Sequence, residues 1–280
     1  MRQLKINENI ELNFEQETIV MGILNVTPDS FSDGGHFVDG SKAVEHAQQM
    51  VLHGAKIIDI GGESTRPGHD PVSVDEEVKR VVPIIREIKD QVKAPISVDT
   101  YKSKTADEAV KAGASMINDV WGAKEDPDIA HVASEHQVPI ILMHNQTHTK
   151  YDDIIEDMKK SLAESIEVAK RAGVPDEHII LDPGVGFGKT LQQNLLTMRR
   201  LHELKTLGYP LLLGTSRKSM IGKTLELPVD ERLEGTVATV CYGIQQGVEI
   251  VRVHDVKEIS RSVKMMDSMM GKGVLMHGSN

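Results

Sequence analysis

Hydrophobic residues in this chain come in short runs that each end in a polar or glycine-rich burst, and the alternation repeats eight times. The runs are IVMGILN at 19–25, KIIDIGGEST at 56–65, PISVDT at 95–100, SMINDV at 115–120, PIILMHN at 139–145, IILDPG at 179–184, PLLLGTSRK at 210–218 and IVRVHDV at 250–256. Such a short, uniformly apolar run reads as a strand buried on both faces, the condition of a parallel sheet. Helical segments are predicted between and after them, over 41–53, 74–91, 103–112, 127–136, 152–172, 190–206, 229–246 and 257–270. Several of these stop at a glycine (Gly54, Gly113, Gly173, Gly208, Gly247), the residue that leaves a helix with positive φ at least cost. Eight strand–helix units in succession predict an α/β protein built as a single (β/α)₈ TIM barrel, whose working face lies at the carboxyl ends of its strands.

Ahead of the first strand, Leu4, Ile6, Ile10, Leu12 and Phe14 alternate with polar residues. This predicts a short N-terminal β-hairpin over 1–17 that caps the amino-terminal end of the barrel. The barrel itself then occupies 19–256, and a last helix and tail occupy 257–280. No composition break divides the chain, so residues 1–280 are read as one domain. Two connections, VTPDSFSDGGHFVD at 26–39 and ESTRPGHDPVSV at 63–74, are long, polar and leave the carboxyl ends of strands, as lids and binding loops do. The Met-rich stretch KMMDSMM at 264–270 is expected on the buried face of the last helix.

Composition narrows the picture. Hydrophobic residues make up 39% of the 280 but aromatics only 3%, so the core must be aliphatic, which suits barrel layers of Val, Ile and Leu. The formal net charge of −10 argues against nucleic acid or an anionic membrane as partner, and an anionic substrate would need a local cationic pocket. The opening MRQLKINENIELNF is too polar for a signal peptide, and no run approaches membrane-spanning length, so a cytoplasmic protein is expected. The single cysteine, Cys241 in TVATVCYGI, excludes an internal disulfide and is expected to be buried and inert.

The strand ends hold the candidate chemistry. GVGFGKT at 184–190 and MIGKT at 220–224 imitate a phosphate loop, but Pro183 and Arg217 stand where its first glycine belongs. Asp99, Asn118 and Asp182 close three different strands and in a barrel point into one mouth. Two carboxylates and an amide facing one cavity suit a heterocycle with an amidine-like N–H edge, and Lys218 adds a donor for a ring carbonyl. Metal ligation by Asp99 and Asp182, or structural ion pairing inside the barrel, are the competing readings. Arg252 and His254 share one face of the eighth strand and, with Asn25 of the first, form a candidate diphosphate site. A diphosphate brings Mg²⁺, for which the Asn25 side-chain oxygen is the candidate ligand. Ser219 is expected to start a helix and to offer a seat for a carboxylate, or simply to cap that helix. No Ser, Cys or Lys sits beside a general base as a covalent nucleophile would, which suits a dissociative, SN1-like displacement.

With these residues in view, the chain resembles the dihydropteroate synthases, the folate-pathway enzymes inhibited by sulfonamides. The resemblance runs from about residue 19 to 256 and is carried by MGILNVTPDSFSDGG, IIDIGGESTRPG, ISVDTYKS, INDVWG, LMHN, LDPGVGFGKT, LLGTSRKS and RVHDV, in family order. It implies that 7,8-dihydropterin-6-ylmethyl diphosphate reacts with p-aminobenzoate in a Mg²⁺-assisted transfer giving 7,8-dihydropteroate and diphosphate, with sulfonamides as inhibitors. Asp99, Asn118, Met143, Asp182, Phe187 and Lys218 fall where the family binds the pterin, and Asn25, Thr65, Arg66, Arg252 and His254 where it holds diphosphate. Phe31, Pro67, Phe187, Lys218 and Ser219 match its p-aminobenzoate pocket. Asp33, Lys218, Arg252 and His254 match its catalytic positions, Asp33 lying in the first loop and Thr65 and Arg66 in the second. A homodimer formed by late helices is likewise implied. Two rival readings share the pterin-site acids: a methyltetrahydrofolate-binding methyltransferase barrel, which needs no diphosphate clamp, and a non-catalytic pterin-binding paralogue, in which Lys218 or Arg252 would be altered.

Overall fold

Along each barrel strand, successive residues meet two different hydrophobic environments, and this alternation builds the molecule. A computed structural model describes residues 3–7, 10–27, 40–63 and 71–273. Strands β3 (Ile19–Asn25), β4 (Ile57–Gly61), β5 (Ile96–Asp99), β6 (Met116–Asp119), β7 (Ile140–Met143), β8 (Ile179–Asp182), β9 (Leu212–Leu213) and β10 (Ile250–Val253) form one eight-stranded sheet. Every pairing within it is parallel, β8 to β3 in sequence order and then β10 and β9. The ring closes between β8 and β9 at a parallel bridge of Leu181 with Leu211, where the Leu181 N–H donates to the Pro210 carbonyl at 2.9 Å.

Val20, Leu24, Ile58, Ile60, Val98, Ile117, Leu142, Leu181, Leu213 and Val251 point outward and join the large core shared with the helices. These helices are α1 (Gly40–Leu52), α2 (Val74–Lys89), α3 (Ser103–Ala112), α4 (Asp128–Glu135), α5 (Ile154–Arg171), α6 (Leu191–Arg199), α7 (Ser219–Leu225), α8 (Leu233–Gln245) and α9 (Val256–Met269). Ile19, Met21, Ile57, Met116, Ile141, Ile180, Leu212 and Ile250 point inward and form a second, separate cluster at the bottom of the barrel. The antiparallel hairpin of β1 (Gln3–Lys5) and β2 (Glu11–Asn13) completes that cluster with Leu4, Ile6, Leu12 and Phe14. The hairpin is thus a plug, and each such side chain contributes roughly 1.5–3 kcal/mol by leaving water. It also seals the lower end, so the polar residues at the upper strand ends stand on a dry aliphatic floor.

Several expectations need correction. The segment 190–206 is not one helix: α6 ends at Arg199 and a 3₁₀ stretch, Leu201–Leu207, follows. The break falls at Arg200, whose guanidinium is held by Glu203 and Asp153. Likewise 229–246 divides into a 3₁₀ turn, Val229–Glu231, and α8. The Met-rich stretch is mostly outward: Met265, Met269 and Met270 are exposed, and only Met266 packs on the core. The buried stripe of α9 runs through Val256, Ile259, Val263 and Asp267 at helical spacing, which turns Met265 and Met269 the other way. Asp267 takes its buried place because it accepts from the Thr18 N–H at 2.7 Å and the Thr18 hydroxyl at 2.6 Å. Cys241 is half-buried rather than buried, with its thiol pKa raised by what burial it has. Among the described residues no helix is long and apolar enough to cross a membrane.

If the hairpin is a plug, truncating its fully buried Leu4 should cost stability as a core residue does. Leu4→Ala is expected to destabilise the fold by about 2–5 kcal/mol in urea denaturation. A loss below about 1 kcal/mol would place the hairpin outside the cooperative core.

Candidate active site

The inward positions of neighbouring strands fall in register at the upper end of the barrel. Asn25 pairs with Gly61, Gly61 with Asp99 and Asp99 with Asn118, so four strands present one row of chemistry to the mouth. Gly61 keeps this row open: a Cβ there would lie 3.5 Å from the Asp99 Cβ and 3.8 Å from the Asn25 Oδ1. Met143 and Asp182 pair across β7 and β8. On the far side, the Lys218 Nζ and the Arg252 Cβ would lie 3.8 and 3.9 Å from a Cβ on Gly214. Asn25, Asp99, Asn118, Met143, Asp182, Lys218 and Arg252, which span most of the chain length, therefore surround one mouth.

The floor of that mouth is an ion cluster. Arg252 donates from Nε to Asp59 Oδ2 and from Nη2 to Asp99 Oδ2, both at 2.5 Å, and Asn118 Nδ2 also donates to Asp59 Oδ2 at 3.1 Å. Asp59 is wholly buried, and neither its Oδ1 nor that of Asp99 has a hydrogen-bond partner among the described residues. Burial opposes the Arg252 charge, but Asp59 and Asp99 outweigh it and hold the guanidinium protonated. Burial pushes Asp99 up to about 7 despite Arg252, and raises Asp182 despite Lys218 and the Gly184 N–H that donates to its Oδ1 at 2.7 Å. Lys218 is brought down to about 8, chiefly by burial. These carboxyls thus stand ready for N–H donors that a ligand would bring.

Asp59 was not among the sequence candidates. It sits inside IIDIGG rather than at the strand's end, and its signal is an acid flanked by isoleucines in a run that should be wholly apolar. Ion pairing inside the barrel is therefore present and shared by Asp59 and Asp99, each through one oxygen, with Asn118 a second donor to Asp59. The metal-ligand reading of Asp99 and Asp182 gains nothing: among the described residues no group of three His, Cys, Asp or Glu side chains could hold an ion.

Lys218 and Ser216 are aimed by the residue between them. Arg217 has φ 57°, a left-handed conformation unusual for a residue other than glycine. It is held there by a bidentate ion pair with Asp255, by its N–H on Thr236 Oγ1 at 3.1 Å and by Arg232 on its carbonyl at 3.0 Å. On one side of it Ser216 Oγ meets the ring Nδ1 of His254 at 3.0 Å. On the other, Lys218 Nζ donates to the Val185 carbonyl and lies 4.7 Å from the centre of the Phe187 ring. Ser219 does begin a helix, α7, but the capping position is Lys218 and no side chain caps it.

The second long connection leaves β4 from a buried anchor. Lys102 joins Glu63 to Glu77, the latter at 2.8 Å, and Arg80 donates to the Gly62 carbonyl at 2.9 Å. Phe31, Asp33, Thr65, Arg66 and Pro67, all expected in the site, lie outside the described residues.

Comparison with known proteins agrees with this geometry. Residues 21–254 match the family described as pterin binding enzymes. The chain is 59% identical over 267 residues to the dihydropteroate synthase of Bacillus subtilis, covering 95% of this chain and 94% of that one. It is 58% identical to that of Clostridium beijerinckii, over 92% of this chain and 96% of the other. A crystal structure of dihydropteroate synthase from Clostridium difficile, solved in the presence of pteroic acid, superposes with a TM-score of 0.90 at 54% identity, covering 92% of this chain and 98% of that one. The Yersinia pestis enzyme in complex with a sulfonamide drug also superposes at 0.90, at 40% identity over 96% and 99% of the two chains. With a buried acid-and-amide row, a lysine and an arginine converging on one barrel mouth, and with these relatives matched over nearly their whole length, the chain belongs to the pterin-binding enzyme family as a dihydropteroate synthase, a transferase of folate biosynthesis.

Proposed function

We propose that the barrel mouth binds 7,8-dihydropterin-6-ylmethyl diphosphate and transfers its pterin-methyl group to the amine of p-aminobenzoate, giving 7,8-dihydropteroate and diphosphate. The observation that carries this reading is the buried row of Asp99, Asn118 and Asp182 set opposite Lys218 and Arg252. The partnerless Asp99 Oδ1 suits the N–H donors of a pterin edge, the Lys218 ammonium suits its ring carbonyl, and Met143 suits its face. Phe187, beside Lys218, suits the arylamine.

The chemistry follows from the charges. The C–O bond between the methylene and diphosphate breaks with its electron pair leaving on diphosphate, and the amine nitrogen then forms the C–N bond and loses a proton. As positive charge develops on the pterin, the carboxylates of Asp99 and Asp182 lie close enough to stabilise it. Arg252, tethered to Asp59 and Asp99, is a fixed cation of the floor, while Ser216 orients His254 nearer the rim for the leaving anion. Arylamine nitrogen is weakly basic and enters as the free amine, so no strong general base is needed. Asp33, Thr65 and Arg66, together with Phe31 and Pro67, complete the site in this reading. The Asn25 side-chain oxygen at the mouth suits Mg²⁺, which takes one or two protein oxygens and completes its shell with water and diphosphate oxygens. When bound, Mg²⁺ neutralises charge on the departing diphosphate. A homodimer is part of the same reading, supported by the exposed Leu225, Val229 and Tyr242 on and beside the late helices.

Protein incubated with Mg²⁺, the pterin diphosphate and p-aminobenzoate should release 7,8-dihydropteroate and diphosphate. Binding of the pterin without turnover would favour a non-catalytic paralogue, and methyl transfer from methyltetrahydrofolate would favour the methyltransferase reading. A sulfonamide should compete with p-aminobenzoate and not with the pterin diphosphate.

Asp182→Ala should abolish pterin binding by calorimetry, and retained affinity would count heavily against the assignment. Asp59→Ala should cost about 3–5 kcal/mol of stability, because it leaves the buried Arg252 half-paired. Asp59→Asn keeps an oxygen acceptor and should cost less.

Pterin affinity should also depend on pH. Asp99, raised to about 7, is partly protonated below that pH, whereas N–H donors need its carboxylate, so binding there expels a proton and affinity rises as pH climbs through about 7. Lys218, lowered to about 8, loses its charge above that, and affinity should fall again. Calorimetry across this range, in buffers of different ionisation enthalpy, reads both limbs. Affinity that is flat from acid to alkaline pH contradicts the assigned contacts.

A further inference from the structure

Behind the loop that carries Val185 and Phe187 lies a second lysine that the proposed chemistry does not use. Lys189 Nζ donates to the carbonyls of Gly184 at 2.9 Å and Phe187 at 3.1 Å, and stands 2.9 Å from the ring Nδ1 of His144. An ammonium has three hydrogens, and here three acceptors meet them, none of them a carboxylate. His144 is buried at the end of β7, and burial together with the Lys189 charge brings its imidazole down to about 2. The ring is therefore neutral, with the Nδ1 lone pair turned to the ammonium and the proton on Nε2.

The loop rides directly on the segment after β7. A Cβ on Gly184, at φ 62°, would come 1.9 Å from the His144 carbonyl oxygen, and one on Gly188 2.5 Å from that of Gln146. Tyr151 packs at 6.0 Å from the His144 ring and donates its hydroxyl to the Gly188 carbonyl at 2.9 Å. Burial pushes Lys189 down to about 7, with the Asp182 charge opposing. Placing a cation there is costly, and an apolar joint would have been cheaper if holding two loops together were the whole task. What the cation adds is direction. It draws the Gly184 and Phe187 carbonyls to the back of the loop, which leaves the Val185 carbonyl and the Phe187 ring to meet Lys218 on the front.

We propose that Lys189, seated on His144, is a positioning residue that sets the Phe187 ring and the Val185 carbonyl against Lys218, and so governs how the arylamine is held. The inference rests on the assignment of Phe187 and Lys218 to the substrate pocket made above.

Steady-state kinetics with both substrates test it. Lys189→Met and His144→Leu should each raise the KM for p-aminobenzoate by about tenfold or more, the scale of a misplacement near 1 Å. In both variants kcat, and pterin affinity by calorimetry, should hold within about threefold. His144→Asn places an amide oxygen close to the former Nδ1 and should restore most of the arylamine affinity. An unchanged KM in the truncating variants overturns the proposal, as does an equal loss in kcat and in both substrates, the mark of a merely structural role. Should Lys189→Met fail to fold, the contrast between His144→Leu and His144→Asn decides, and equal KM values for those two overturn it. Variants that behave like a wild type making 7,8-dihydropteroate defeat this inference alone, whereas a wild type that makes none defeats the function and this inference with it.

Discussion

Arg252 reaches from the last barrel strand across the floor of the mouth to Asp59 and Asp99, and this one cation is what permits acids so deep in an aliphatic barrel. A buried carboxylate costs several kcal/mol after relaxation unless it is paired and hydrogen-bonded. Each of the two meets that condition on one oxygen: Asp59 through Arg252 and Asn118, Asp99 through Arg252 alone. The mouth itself therefore holds three carboxylates, those of Asp59, Asp99 and Asp182, against the two cations Lys218 and Arg252. Burial answers the excess by raising Asp99 and Asp182. A ligand that supplies N–H donors, and then develops positive charge, answers that excess of carboxylates.

The plug beneath gives those charges their strength. Hairpin side chains and the inward aliphatic residues of the strands form one dry cluster, so field lines between the acids and Lys218 are not screened by water from below. Stability and reactivity are coupled in this way through the same layer. The hairpin contributes no polar group to the mouth, yet it sets the medium in which Asp99 and Lys218 titrate.

How much of this could be read from the chain depends on which physical signal each residue carries. Strand ends announce themselves, because an Asp or Asn at the end of a short, mostly apolar run has nowhere to go but a mouth, and Asp99, Asn118 and Asp182 were legible for that reason. The hairpin was legible from its alternation, which fits a surface buried on one side. Asp59 was not, since its meaning depends on a partner 193 residues away whose reach no local pattern shows. Lys189 and His144 were hidden for a similar reason. A lysine in GFGKT reads as a phosphate-loop imitation, and only the packing of the β8 loop on the end of β7 turns it inward. The break at Arg200 was hidden because ion pairs there end the helix that the periodicity would continue, and the outward Met265 because helical spacing gives the buried position to Asp267, whose partner Thr18 lies far off in the chain.

A fully ordered set of charges also accounts for what the site does without. Direct attack by a nucleophilic side chain needs a base at hydrogen-bond distance, and the polar groups near the mouth are instead committed to orientation: Ser216 to His254, Asn118 to Asp59, Lys218 to Val185. Such groups reorganise little as charge moves, which is the property that lowers a barrier dominated by charge separation. A cation formed on an electron-rich heterocycle is vulnerable to water, so the site needs walls as much as it needs charges. The Phe187 ring and Met143 are the apolar part of those walls among the described residues. In the function proposed above, the two lysines held on opposite sides of one loop would keep the aromatic wall where a weakly basic amine can reach the carbon before water does.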